Sequence, residues 1–376
     1  MKIKSFEFNL RELAGSMGDF GTLIPLAIGY MVACGLNPAG FLVVMGLANI
    51  VTGLVYELPM PIEPMKVLAV VAIAQHWSPS MVYASAFATG VVWLLFSLTG
   101  LVDWIVRFTP KPVIRGIQIT LGIMLAANAV EMIDGNWLLG VIAIVIVLTL
   151  REKRYAPAAL VLMALGLGIM AFQGKLQQVP PPAFTLPSLT GFSLNQIWQV
   201  MLLAGFAQIP LTASNALIST SSLLKQYFPE RPVAERKLAL NMGIINLVVP
   251  FLGGFPLCHG AGGLAGQYYF GARTGGTNII EGSIEIGLGV LFASSIGILF
   301  ASFPMAIVGA MMLLVGLELV KFARDLRWNS DLIYVAMTTT LALLTNMAVG
   351  FIAAASAYHL VRWYQKKYPP VGVQSE

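Results

Sequence analysis

Leu58-Pro59-Met60-Pro61-Ile62-Glu63-Pro64-Met65-Lys66-Val67-Leu68-Ala69 interrupts a long apolar region with three prolines in six residues. Each proline removes a backbone donor, so no helix runs through them. Proline does suit the first turn of a helix. The stretch therefore reads as an extended strand to about Ile62 and a half-helix from Pro64. A second interruption, Phe255-Pro256-Leu257-Cys258-His259-Gly260-Ala261-Gly262-Gly263-Leu264-Ala265, has glycines that let backbone N–H groups come close to a ligand. Whether such irregular backbone lies in water or at membrane depth decides the fold.

The surroundings are membrane. Of 376 residues, 57% are hydrophobic and 10% charged, and the mean hydropathy is +0.81. Soluble domains carry about 25% charged residues. This chain has too little polar surface for a soluble enzyme, a disordered protein or a nucleic-acid-binding protein. A membrane helix needs about 20 apolar residues. The chain divides into fourteen segments, roughly 13–34, 39–56, 64–75, 79–101, 112–130, 135–150, 156–173, 196–223, 237–254, 261–271, 279–301, 304–321, 331–345 and 347–364. The third and tenth contain the two interruptions and are half the usual length.

Charge placement tests this division. With the N-terminus in the cytoplasm and sides alternating, cytoplasmic stretches hold 20 of the 22 basic residues, from Lys2, Lys4 and Arg11 to Arg362, Lys366 and Lys367. Lys175 falls outside and Lys66 inside the membrane. The net charge of +5 is thus a topology signal. Both termini are expected to be cytoplasmic, in a plasma (inner) membrane. Cys34 and Cys258 lie in different apolar segments and imply no disulfide framework. Met1 to Arg11 lacks the apolar core of a signal peptide.

Two similar halves emerge, residues 1–173 and 196–376, joined by an external linker, 174–195, that contains Pro180-Pro181-Pro182. Each half has seven segments, the third of them short. Glu57-Leu58-Pro59-Met60-Pro61 matches Gly254-Phe255-Pro256-Leu257-Cys258, and Pro112-Val113-Ile114-Arg115-Gly116 matches Pro304-Met305-Ala306-Ile307-Val308-Gly309. An odd number of spans inverts the second half. The expected fold is an all-α, seven-plus-seven inverted-repeat membrane protein. Interrupted segments in matching positions of such repeats point to a secondary transporter with a midplane site.

Both half-helices then begin near the midplane with N-termini facing, each presenting unpaired N–H groups and a positive dipole end. That is an anion site. Lys66 opposes the dipole of its own helix, and a charge at the bilayer centre costs about 2.5–3.5 kcal/mol on insertion scales. It needs a bound anion, or Glu63 three positions away, as partner. Asp19 borders the site as a proton or substrate contact, or makes a helix-packing hydrogen bond. His259 titrates near neutrality or holds its loop. Gln208 and Asn215 line the cavity or bridge helices. Glu281 and Glu285 read as solvated or paired with Arg273. The histidines, at 76, 259 and 359, show no metal-ligand spacing, and no nucleophile with a paired base is visible, so no enzyme, metal or cofactor is expected.

Three stretches resemble the signatures of the SulP-related molybdate transporter family: Gly18-Asp19-Phe20-Gly21-Thr22-Leu23-Ile24-Pro25-Leu26, Pro59-Met60-Pro61-Ile62-Glu63-Pro64-Met65-Lys66, and Cys258-His259-Gly260-Ala261-Gly262-Gly263-Leu264-Ala265-Gly266-Gln267-Tyr268-Tyr269-Phe270-Gly271-Ala272-Arg273-Thr274-Gly275. The third is highly specific, and the resemblance runs over nearly the whole chain. Glu63 stands where the family pattern usually has Gln, and Tyr269 where it often has Arg. The resemblance implies core and gate domains and uptake of molybdate, with sulfate as a related oxyanion. No STAS domain of the sulfate permeases is expected after Arg362, as the resemblance to the molybdate branch implies.

The expected substrate-binding residues are Asp19, Thr22, Glu63, Met65, Lys66, Gln208, Asn215, His259, Gly260, Ala261, Gly262 and Gly263. Asp19, Glu63 and His259 are the expected proton carriers for symport. Expected partners are the oxyanion and the lipid bilayer, without nucleic acid; a homodimer stays open. The alternative is a nucleobase–proton symporter of the same architecture, which would need carboxylates where Gln208, Asn215 and His259 stand.

Overall fold

The structure is a computed structural model and describes residues 2–3, 5–18, 20–150, 158–321, 323–326 and 330–367. Lys4 and Asp19 lie outside the described residues, as do Arg151, Lys153, Arg154 and Arg327, four of the basic residues counted above as cytoplasmic.

A helix falls on each of the fourteen segments. They are Phe20–Ala33, Pro38–Tyr56, Lys66–Ala74, Pro79–Thr99, Lys111–Ile133, Trp137–Leu150, Ala158–Phe172, Leu194–Tyr227, Glu235–Val248, Ala261–Phe270, Gly276–Ala301, Met305–Lys321, Leu332–Leu344 and Met347–Lys367. The third and tenth have 9 and 10 residues, half a membrane span.

Two features, both extra helices, depart from the expected boundaries. The first segment was expected to start at 13, but a separate helix, Leu10–Ser16, precedes Phe20–Ala33. The chain breaks where Gly18 presses on the backbone of Gly266 and Gln267, an approach that leaves no room for a Cβ. A second unexpected helix, Leu101–Phe108, follows the fourth segment. The eighth helix stays continuous through Pro210, flanked by π-helical turns at Met201–Gly205 and Ala213–Ser219 that absorb the missing donor.

Packing repeats under exchange of the halves. The second helix lies along the eleventh, and its counterpart the ninth lies along the fourth. The fifth packs on the twelfth, its own counterpart. The thirteenth packs on the fourteenth and fifth, as the sixth packs on the seventh and twelfth. The second and eleventh helices cross at Gly46 and Gly282, and the ninth and fourth cross at Gly243 and Gly90; in both crossings backbone meets backbone. Small residues at crossings are how membrane helices gain contact without a hydrophobic drive. This is a seven-plus-seven inverted repeat. Segments one to four and eight to eleven, which carry both interruptions, make one group, called the core, and the remaining six, which pack mainly on one another, make the other, called the gate. The domains meet where the third helix packs on the fifth, the first on the seventh and twelfth, and the eighth on the fourteenth.

Candidate functional site

The two interruptions meet as a short antiparallel ribbon. Glu63–Pro64 pairs with Leu257–Cys258, Glu63 opposite Cys258 and Pro64 opposite Leu257. The Met65 N–H extends the ribbon to the Pro256 carbonyl at 2.9 Å. Buried backbone groups here need partners. Asn278 of the eleventh helix accepts from the Met60 N–H at 2.9 Å and donates to the Met60 carbonyl at 2.6 Å. Asn246 of the ninth helix accepts from the Leu257 N–H at 2.8 Å and donates to its carbonyl at 2.6 Å. Met60 and Leu257 stand 197 positions apart, and so do Asn49 and Asn246. In the first half, however, Asn49 lies one step back: it accepts from Asn278 at 3.0 Å and donates to Glu285 at 2.9 Å. These asparagines escaped the sequence reading. The available signal was an asparagine at matching positions in two apolar segments.

The half-helices leave the ribbon with different caps. At the first, the N–H groups of Val67 and Leu68 donate to Gln208 Oε1 at 2.8 and 3.3 Å, and Gln208 Nε2 donates to Thr212 Oγ1 at 2.7 Å. At the second, the first helical bond is Leu264 N–H to the Gly260 carbonyl at 2.9 Å. Ahead of it, the N–H groups of Ala261, Gly262 and Gly263 have no hydrogen-bond partner among the described residues. Positive dipole and open donors therefore coincide at the second half-helix.

Glu63 faces this end. A Cβ at Gly260 or Gly263 would collide with its carboxylate, whereas a Cβ at Gly262 would meet open space. Lys66 Nζ lies 2.5 Å from Glu63 Oε2, and the side chains are only 13% and 3% exposed. His259 is fully buried; its Nδ1 bonds to the Pro61 carbonyl at 3.2 Å, so that nitrogen carries the proton. His259 Nε2 is buried without a partner among the described residues.

The structure thus brings Glu63, Met65, Lys66, Gln208, His259, Gly260, Ala261, Gly262 and Gly263 together. The Met65 N–H, expected to face an anion, is engaged by Pro256. Asn215 is half-buried in the second π-helical turn of the eighth helix, beyond Gln208 and Thr212. The Thr22 side chain, like Asp19, lies outside the described residues.

Glu281 and Glu285 are buried, not solvated. Glu281 accepts from Gln267 at 3.2 Å, while Arg273 donates to the carbonyls of Tyr268 and Ala272 at 2.6 and 2.7 Å. Glu12 holds the segment instead, accepting from the N–H groups of Arg273 and Thr274 and from the Thr277 hydroxyl. Glu281 and Glu285 border a cavity of about 260 Å³ whose other walls include Met17, Leu23, Phe41 and Met45. Apolar walls with two carboxyl groups do not suit an anion.

A sequence model described as "Molybdate transporter of MFS superfamily" matches residues 11–125 and 200–319. The chain belongs to this molybdate transporter family. "Molybdate transporter 1" of Arabidopsis thaliana is 31% identical over 409 residues, covering 95% of this chain and 89% of that protein. The fold is shared with the transmembrane domain of a cyanobacterium bicarbonate transporter, BicA (TM-score 0.67, 17% identity, 92% of this chain and 97% of that one). It is shared too with murine solute carrier 26 family member A9, an anion transporter in the inward-facing state (TM-score 0.72, 13% identity, 97% and 70%). The family's label invokes the MFS superfamily, whose halves have six helices. This family member has seven in each half. It is a multi-pass membrane transporter of an anion and not an enzyme.

Proposed function

We propose that the protein imports a tetrahedral oxyanion, molybdate foremost with sulfate as a related substrate, together with protons. The anion binds between the half-helix N-termini. It accepts hydrogen bonds from the N–H groups of Ala261, Gly262 and Gly263 and pairs with Lys66. The observation that carries this reading is the set of three open N–H donors at the second half-helix, beside a buried ammonium. Names of relatives supply molybdate; geometry alone supports an oxyanion.

Inward movement of a dianion is opposed by a negative-inside potential at about 2.3 kcal/mol per charge per 100 mV. Accumulation therefore needs a cation, and Asp19, Glu63 and His259 are the proton carriers at hand. Residues 1–173 and 196–376 act as the two repeats, with linker 174–195 outside and both termini in the cytoplasm of an inner-membrane protein. Access alternates as the core domain moves against the gate.

The nucleobase alternative needs acceptors facing ligand N–H groups from the eighth and tenth segments. The Gln208 amide there is engaged by Val67, Leu68 and Thr212. Proteoliposomes with an imposed pH gradient test the proposal. Labelled molybdate should accumulate, sulfate should compete and uracil should not. Competition by uracil, or accumulation indifferent to the pH gradient, would replace the present reading.

A further inference from the structure

The proposed oxyanion cradle already holds a negative group of the chain's own. The Glu63 carboxylate packs on Gly260 and Gly263 at the open end of the second half-helix, and it takes the Lys66 ammonium at 2.5 Å. An entering oxyanion needs those same two features. The crowding explains why residues 260 and 263 are glycines: any side chain would expel Glu63. We propose that Glu63 is a tethered competitor of the transported oxyanion, holding the cradle while it is empty and yielding it as a proton from bulk water binds a Glu63 carboxylate oxygen.

This inference rests on the oxyanion reading and says how that site is regulated. Molybdate and sulfate at neutral pH carry no proton and only accept hydrogen bonds. An ionised carboxylate also only accepts, so it repels them by charge and cannot bond to them. A carboxylic acid can donate its O–H to an oxyanion oxygen and leaves Lys66 to pair with the anion. One proton is taken up from one side when the anion loads. It is released to the other side when the anion leaves and the carboxylate returns to Lys66. No other bond changes.

Among the described residues, the titratable groups facing Glu63 are Lys66 on its own half-helix, Cys258 opposite it in the ribbon, and His259 after that, against which the Tyr56 ring packs edge-on at 5.8 Å. His259 is the rival seat for the proton, and the test separates the two.

Molybdate is titrated calorimetrically into the purified full-length protein between about pH 5.5 and 8.5, in buffers of different ionisation enthalpy. Wild type should take up about one proton per anion, and its Kd should weaken by up to about tenfold per pH unit at the alkaline end. Glu63→Gln should bind at least as tightly as wild type at pH 7, with no proton uptake and a flat pH profile. Glu63→Asp, which keeps the carboxylate, should retain proton uptake. Binding by wild type without proton uptake overturns the proposal but leaves the oxyanion site standing. So does proton uptake that survives in Glu63→Gln and is lost in His259→Gln. If neither wild type nor Glu63→Gln binds molybdate or sulfate, the oxyanion reading fails and this inference fails with it.

Discussion

At the scale of single residues, a buried lysine in the first turn of a half-helix carries the argument. Lys66 runs against its helix dipole and has Glu63 beside it. Lys66→Met should weaken oxyanion binding about ten- to a hundredfold, the worth of one charged hydrogen bond. The double variant Lys66→Met with Glu63→Gln removes the stranded charge and should restore stability but not uptake. Wild-type uptake by that double variant would mean the pair is structural only. The glycines separate in the same way. Gly263→Ala drives a methyl group into Glu63 and Pro61 and should lower stability by about 1–3 kcal/mol, the scale of an overpacked core. Gly262→Ala meets open space, so thermal stability should hold while uptake falls. Equal melting temperatures for the two variants would contradict the crowding. The sequence made Lys66, Glu63 and the glycine run legible, because charge at membrane depth and helix-breaking residues are local signals. It did not reveal which glycine faces Glu63, since that depends on how two distant strands register.

At the scale of elements, fourteen helices and their two short members were readable from charge-free runs and prolines. The ribbon's fastening was not, because it depends on how side chains of two other helices dock on it, one of them 218 positions from Met60. Asn278 closes both polar groups of Met60, and Asn246 those of Leu257. Asn278→Ala should cost about 1–3 kcal/mol for each group left unpaired and should loosen the first strand. Melting in detergent checks the stability, and hydrogen exchange at Met60 checks the loosening; unchanged exchange would show that another group takes over. Tertiary packing likewise hid the burial of Glu281 and Glu285. Their positions at the start of a helix suggested solvent, and only packing against the second and tenth segments removes them from it.

For the whole molecule, the inverted repeat demands that Lys175 and the loop containing Glu230 lie on opposite sides of the membrane. Single cysteines at 175 and 230 should label from opposite faces with an impermeant maleimide. Labelling from one face would break the repeat. Within the gate, Arg115 donates to both carboxylate oxygens of Asp325 at 2.8 and 2.7 Å, and these bonds hold the Asp325 carboxyl below its usual value. A carboxyl lowered in the folded state contributes stability above its unfolded pKa of about 3.9 and loses that contribution as pH falls through the folded value. Asp325 is half-exposed, so Asp325→Asn should destabilise by at most about 1 kcal/mol at pH 7. The gap to wild type should close only in strong acid; a gap that widens there would reverse the assignment. The polar contacts that fasten the ribbon and cap the first half-helix all join residues of segments one to four and eight to eleven, from Gln208 and Asn246 to Asn278 and the Lys66–Glu63 pair. The proposed berth could therefore travel whole, like a lift car with its fittings, without breaking any of these bonds. On the proposed mechanism, what resists the journey is the rub of greasy walls, the third helix with its buried Leu68 and Val71 against the fifth with its buried Ile117 and Leu121. Turnover should then answer more to the smoothness of that seam, and to the lipid around it, than to the strength with which the cargo is held.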